Sequence, residues 1–209
     1  ELCSWDGDIA ADLLEKFLDF QDPESPTANP TAGDMESSGQ IDYRQDPPSF
    51  PALIANAWKF KILRKYVVRG KMDMRVMSMA TMDAALVEIW REYSNVDQTC
   101  RHPVMQYLAD FLLHGQVVEY IISVDSHPQL ISRSGNIVGF LVVTHRWSDK
   151  QADAIWATVS ESPDPGVVSA TMTMLRSIIG LMVPPDQLYL CQKMHELPIA
   201  RYTLDILRL

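Results

Sequence analysis

Residues 127–141, HPQLISRSGNIVGFL, and residues 164–178, DPGVVSATMTMLRSI, decide the fold. Leu130, Ile131, Ile137, Val138 and Leu141 of the first stretch reappear 37 positions later as Val167, Val168, Met174, Leu175 and Ile178 of the second. One stretch follows His127-Pro128, the other Asp164-Pro165. Each apolar run then breaks, and a second amphipathic helix begins. The residues between Val117 and Val124 and between Ile137 and Val143 are rich in β-branched side chains. Their helical flanks and the lack of hairpin turns nevertheless favour helix over strand.

A unit of roughly 35–45 residues made of two or three helices has the spacing of armadillo- and HEAT-type solenoids. The expected fold is therefore all-α, an α-solenoid of armadillo/HEAT-like stacked antiparallel helices. Working outward, a helix is expected from Ser49 and Pro51, with Leu53, Ile54, Ala57, Trp58, Ile62, Tyr66 and Val67 on its stripe. Gly70, after the basic Lys65 and Arg69, suits a left-handed cap. A second helix is expected from Met72 to Tyr93, with Val76, Met79, Met82, Leu86, Ile89 and Trp90 inward, closed by a polar loop to Thr99. His102-Pro103 opens a third, which Gly115 interrupts. Ser126 to Gln129 and Ser148 to Gln151 have the form of capping boxes. They predict helices to about Val143 and Ser160. Another helix is expected to end near Met182, stopped by Pro184-Pro185, with a last one carrying Tyr202, Ile206 and Leu207. Helices of about 10–20 residues are marginal alone in water, so each must bury its stripe on a neighbour. Short loops make those neighbours antiparallel.

The N-terminal part reads differently. Residues 8–20 form an amphipathic helix with Ile9, Leu13, Phe17 and Phe20 on one side and Asp12, Glu15, Lys16 and Asp19 on the other. Residues 21–50 carry Pro23, Pro26, Pro30, Pro47 and Pro48 and few large apolar side chains. Such a stretch buries too little area to offset its ordering entropy and reads as a flexible linker or insertion. The domain organisation expected is a helix over 1–20, a linker over 21–50 and the repeat array over 51–209.

Composition narrows the function classes. With 47% hydrophobic residues among 209, a substantial core is possible. No apolar stretch approaches the ~18–20 residues that cross a bilayer, so no membrane role is expected. A net charge of −9 argues against general nucleic-acid binding, which needs positive surface. Cys3, Cys100 and Cys191 are odd in number and widely spaced, which fits a reducing, intracellular compartment, cytoplasm or nucleus. The chain lacks an initiator Met and ends on Ile206-Leu207-Arg208-Leu209, which reads as mid-helix, so a piece of a longer polypeptide is expected.

The chemistry of an enzyme is not visible. His102, His114, His127, His145 and His195 do not pair at metal-ligand spacing, so no metal or other cofactor is expected. Cys191 and His195 lie four apart, but Cys191 shares an apolar stripe with Leu188 and Met194, and core packing is expected. No Gly-rich phosphate loop and no G-x-S-x-G elbow occur. Trp58, Trp90, Trp147 and Trp156 fall on or beside helix stripes, where core packing is the default. One charge feature stands out in this acidic chain. Lys59, Lys61, Arg64, Lys65, Arg69, Lys71 and Arg75 cluster with only Asp73 among them. Lys61, Lys65 and Arg69 recur at i, i+4 and i+8. Beside the plain reading as a solvated face, Lys61, Arg64, Lys65, Arg69 and Lys71 form a candidate docking patch for an acidic partner or the chain's own acidic linker.

Residues 51–209 resemble the helical region flanking the catalytic domain in very large ubiquitin-specific proteases, particularly their fungal members. The cues run in order. Trp58-Lys59-Phe60-Lys61-Ile62-Leu63 leads to Met72-Asp73-Met74-Arg75-Val76-Met77-Ser78-Met79. Val117-Val118-Glu119-Tyr120-Ile121 precedes Ser126-His127-Pro128-Gln129-Leu130-Ile131 and Ile137-Val138-Gly139-Phe140-Leu141. Asp153-Ala154-Ile155-Trp156 and Leu190-Cys191-Gln192-Lys193-Met194 complete the series. The resemblance implies armadillo-like repeats within a parent thiol protease that removes ubiquitin. No Gly-Asn-Thr-Cys-Tyr box surrounds any cysteine and no Gly-His-Tyr box any histidine, so no catalytic residue carries over. The implied role is a non-catalytic scaffold arm that binds proteins, ubiquitin-pathway substrates or regulators. The alternatives are a helical-repeat adaptor with no link to ubiquitin and, further off, a helical enzyme with a site in a concave groove.

Overall fold

The computed structural model describes residues 50–94, 101–123 and 126–209 of the chain. The helix expected at 1–20, the linker at 21–50 apart from Phe50, most of the loop to Thr99, and Cys3 and Cys100 lie outside the described residues. Among the described residues the chain is all-helical, with no strand. The helices are α1 (Phe50–Arg69), α2 (Met72–Ser94), α3 (Pro103–His114), α4 (Val117–Ile121), α5 (Pro128–Ile131), α6 (Gly135–Val143), α7 (Asp149–Glu161), α8 (Pro165–Ile178), α9 (Pro184–Glu196) and α10 (Leu204–Leu207). Short 3₁₀ turns, Ile179–Leu181 and Ile199–Arg201, sit on either side of α9. The chain divides into two units, Glu1–Lys61 and Ile62–Leu209.

Three helices begin by one local device. His102, His127 and Asp164 each precede a proline at the first helical position. Proline keeps the preceding residue extended and brings no N–H that needs a partner. The side chain of that residue then accepts the next free amide. His102 Nδ1 takes Val104 N–H at 3.3 Å, His127 Nδ1 takes Gln129 N–H at 3.3 Å, and Asp164 Oδ1 takes Gly166 N–H at 2.7 Å. This corrects the capping box expected at Ser126. Because Pro128 is the first helical residue, the cap falls to His127, and Ser126 instead bonds back to the Tyr120 carbonyl at 3.4 Å. Ser148 is the cap of α7 as expected, but its hydroxyl donates directly to Gln151 Oε1 at 2.6 Å.

The two stretches spaced by 37 residues differ in continuity. The first divides into α5 and α6, where a single helix to Val143 was expected. Ser132 Oγ donates to the Gln129 carbonyl and Ser134 Oγ to the Ile131 carbonyl, and Gly135 follows. Hydroxyls that take up carbonyls favour turns, and glycine weakens a helix interior. The second stretch has Ala170, Thr171 and Met172 where the first has Arg133, Ser134 and Gly135. Thr171 bonds to the carbonyl one turn back, Val167, at 2.8 Å, and α8 runs unbroken.

Gly70 is not left-handed. A Cβ there would collide with the Tyr66 carbonyl oxygen, so glycine is needed for close approach. The left-handed residues are Gln116, with φ 50°, and His145, with φ 58°. His145 closes α6, and Arg146 N–H returns to the Leu141 carbonyl at 2.8 Å in the six-to-one pattern of a Schellman cap. The expected final helix resolves into the 3₁₀ turn and the short α10, with Ile206 buried and Leu207 65% exposed. Tyr202 lies between them and donates its hydroxyl to the Met194 carbonyl at 2.7 Å.

Within Ile62–Leu209, and with α3–α4 and α5–α6 each counted as one interrupted helix, helices pack mostly on their next-but-one neighbours. One series runs from α2 to α5 and α6, on to α8 and then α10. Another runs from α4 to α7 to α9. The contacts of α2 with α3 and of α7 with α8 join them. Both stretches of the 37-residue echo belong to the first series, and their apolar residues, the half-buried Val168 apart, meet in its core. Leu130, Ile131, Ile137, Val138 and Leu141 are completely buried, as are Val167, Met174, Leu175 and Ile178 to within a few per cent. Buried polar groups need partners; among the described residues Glu119 Oε2 and Arg146 Nε lack one. Gln106 Nε2 donates to the Thr144 carbonyl at 3.1 Å, tying α3 to the end of α6.

Candidate functional site

The basic residues divide into two kinds. Arg64 Nε donates to the Gly115 carbonyl at 3.0 Å. A Cβ on Gly115 would come within 2.9 Å of Arg64 Nε, so glycine admits the guanidinium to the end of α3. Arg75 Nε donates to the Val67 carbonyl at 3.0 Å, and Arg75 Cζ lies 5.4 Å from the centre of the Tyr120 ring. Tyr120 in turn donates to the Val68 carbonyl at 2.9 Å. Arg64, Arg75 and Tyr120 thus meet carbonyls in the closing turns of α1 and α3, where the helix dipole favours cations and donors. Arg64, which the sequence placed in the patch, is exposed and also has this structural role. Lys61 is half-buried and closes the first unit. Lys65, Arg69 and Lys71 are exposed, and Arg69 and Lys71 form no ion pair among the described residues.

The Cys191–His195 pair does not form a site, nor does Cys191 sit in the core. Both residues are exposed on α9, and no hydrogen bond joins them among the described residues. The core expectation fails because the covered side of α9 carries Leu190, while Leu188 is 69% exposed. On the same helix Tyr189 and Lys193 clasp Asp153 of α7. The phenol donates to Asp153 Oδ1 at 2.8 Å, and Lys193 Nζ stands 2.8 Å from the same oxygen. A lysine one turn from a tyrosine would favour phenolate formation, as a base needs. Here the hydrogen bond to Asp153 pushes the Tyr189 phenol above its usual range. The bond from Lys193, then that from Tyr189, holds the Asp153 carboxyl below its usual range. Asp153 likewise raises the Lys193 ammonium. The trio is a clasp between helices, with its tyrosine tuned away from proton abstraction.

One concave feature of the second unit was not anticipated. α2, α6, α8 and the turn after α8 enclose a groove of about 280 Å³. Leu86, Gly139, Phe140 and Ile178 line it, and Trp90 and Leu181 stand at it with 40% and 52% of their surface exposed. The expectation that Trp90 is core is thereby corrected, and Trp58, 52% exposed, is a second correction. Trp147 is half-buried, and Trp156 is 6% exposed in the core as expected. Gly135 and Gly139, one turn apart, make the groove deep. A Cβ at Gly139 would touch Ile178 and Leu181 at an ordinary 3.5 Å. Polar side chains nearby are engaged elsewhere. Asn136 donates to Asp83 at 2.8 Å and Ser177 to the Met174 carbonyl at 2.6 Å. Such a groove suits an apolar side chain presented by a partner, not a reacting polar group. The glycine pair and the end-of-stripe position of Trp90 were its only traces in the sequence.

Among the described residues no group of three metal-ligating side chains occurs, and no helix is long and apolar enough to cross a membrane. Comparison with known protein families, curated proteins and solved structures found no match.

Proposed function

We propose that this chain is a protein-interaction scaffold, an armadillo-like α-solenoid segment of a ubiquitin-specific thiol protease that itself carries out no catalysis. The groove beside Trp90 and Leu181 carries the scaffold part of the reading. It offers apolar surface for an inserted side chain, and the neighbouring Asn136 and Ser177 are already engaged. The next-but-one packing of helices supports the solenoid part, because stacked helix pairs touch like with like in two layers. The ordered sequence cues from Trp58 to Met194 support the link to ubiquitin and an intracellular setting. Partners are then ubiquitin-pathway substrates or regulators, held in the groove.

Two measurements test this reading. The chain is expected to leave a fluorogenic ubiquitin substrate intact. Turnover that disappears in Cys191→Ala would overturn the scaffold role. Gly139→Leu fills the groove, and it is expected to abolish capture of ubiquitin-pathway proteins while the helical circular-dichroism signal persists. If instead only cargo or assembly subunits unrelated to ubiquitin are captured, the chain is an adaptor.

A further inference from the structure

We infer that the corner where α1 meets α2 is a second docking site, made for an acidic, leucine-bearing segment of a partner protein. Four side chains define it. Arg69 and Lys71 flank Gly70, and a Cβ on Gly70 would lie 3.1 Å from Met74 Cβ, so Met74 sits against the turn between the two cations. Met74 is 39% exposed, and Met77, one helical turn on, is 65% exposed. Neither cation has an ion-pair partner among the described residues, whereas Arg64 and Arg75 are committed to carbonyls. Asp73 is the one carboxylate on this turn, and it stands in the first turn of α2, where the helix dipole favours it.

The chemistry names the occupant. In a chain of net charge −9, two cations with no ion-pair partner among the described residues, set beside apolar surface, attract carboxylates locally while the rest of the molecule repels them. Methionine is unbranched and polarisable and adapts to varied apolar partners. Charge next to methionine therefore fits glutamates or aspartates flanking a leucine. Nucleic acid would need stacked aromatics or a longer basic track. An anionic membrane would need about four to eight cations. The inference rests on the scaffold reading only in supposing that this chain holds proteins. Its site is separate from the groove.

The test uses the whole chain and a fluorescein-labelled helical peptide with glutamates flanking a leucine stripe, read by anisotropy. The parent is expected to bind with salt-sensitive affinity. Exchanging both cations (Arg69→Gln with Lys71→Gln) should weaken binding about tenfold and flatten the salt dependence. Met77→Ser should weaken it several-fold, about as a lost contact would, with the salt dependence kept. Gly139→Leu should leave it unchanged. Unaltered affinity in the double charge variant would overturn the inference. So would equal binding of a peptide with glutamine for glutamate, or stronger binding of a thymidine oligonucleotide or of phosphatidylserine vesicles. Loss of peptide binding in Gly139→Leu alone would move the occupant to the groove and leave the scaffold reading standing.

Discussion

Helices α8 and α9 carry similar sequence patterns and have opposite fates. In α8, Val167, Met174, Leu175 and Ile178 are all buried, because α5, α6, α7 and α10 surround it. In α9, the stripe read from Leu188, Cys191 and Met194 leaves the first two exposed, and Leu190 alone is buried. The main neighbour of α9 is α7, and the clasp on Asp153 holds the pair by polar contacts. A periodic stripe states which face would gain from cover. The number of neighbours decides whether cover arrives.

The largest expected effects test that contrast directly. Trp156→Ala in α7 should destabilise the chain by roughly 3–5 kcal/mol and Leu175→Ala in α8 by roughly 2–5 kcal/mol, through cavities. Leu188→Ala should change stability by less than about 0.5 kcal/mol. Thermal and urea midpoints measure all three, and a large loss at Leu188 would break the contrast. The caps come next. His127→Ala and Asp164→Ala should each cost about 1 kcal/mol, while His127→Asp should keep the cap and most of the stability. Equal losses in both His127 variants would show that the imidazole packs and does not cap. A smaller gain is expected at the end of α6. His145→Gly removes the cost of a left-handed side-chain-bearing residue and should stabilise by about 0.5–1 kcal/mol.

The subtlest effect concerns the clasp. Hydrogen bonding to Asp153 raises the Tyr189 phenol, so its share of the α7–α9 contact is whole below the ordinary phenol range and fades as pH rises through the raised value. Asp153, held low first by Lys193, acts oppositely. Its share is whole above the ordinary carboxylate range and fades as pH falls through the depressed value. Absorbance titration of the parent minus Tyr189→Phe should therefore show one tyrosine ionising later than the rest. In Asp153→Asn the delay should vanish.

The local half of the fold was legible in the sequence. His-Pro and Asp-Pro marked three helix starts, and the 37-residue echo of Leu130 to Leu141 marked two segments that pack in one core. These signals act within one or two turns, so they survive without tertiary knowledge. The functional surface was legible only in part. The cationic island was visible, but nothing nearby in sequence revealed that Arg64 reaches Gly115 or that Arg75 turns back to Val67. Trp90 looked like the end of the α2 stripe, yet α6 and α8 stop short of covering it because Gly135 and Gly139 supply no side chains there. The groove arises from what two residues lack, and periodicity counts only what is present.

Next-but-one packing also shapes how Ile62–Leu209 comes apart. Each element leans on a few others close along the chain, so α9 and α10 can peel away while α2, α6 and α8 stay zipped. Amide protons of Pro184–Glu196 should trade with deuterium well before those of Pro165–Ile178, making loss of structure a graded retreat from one end.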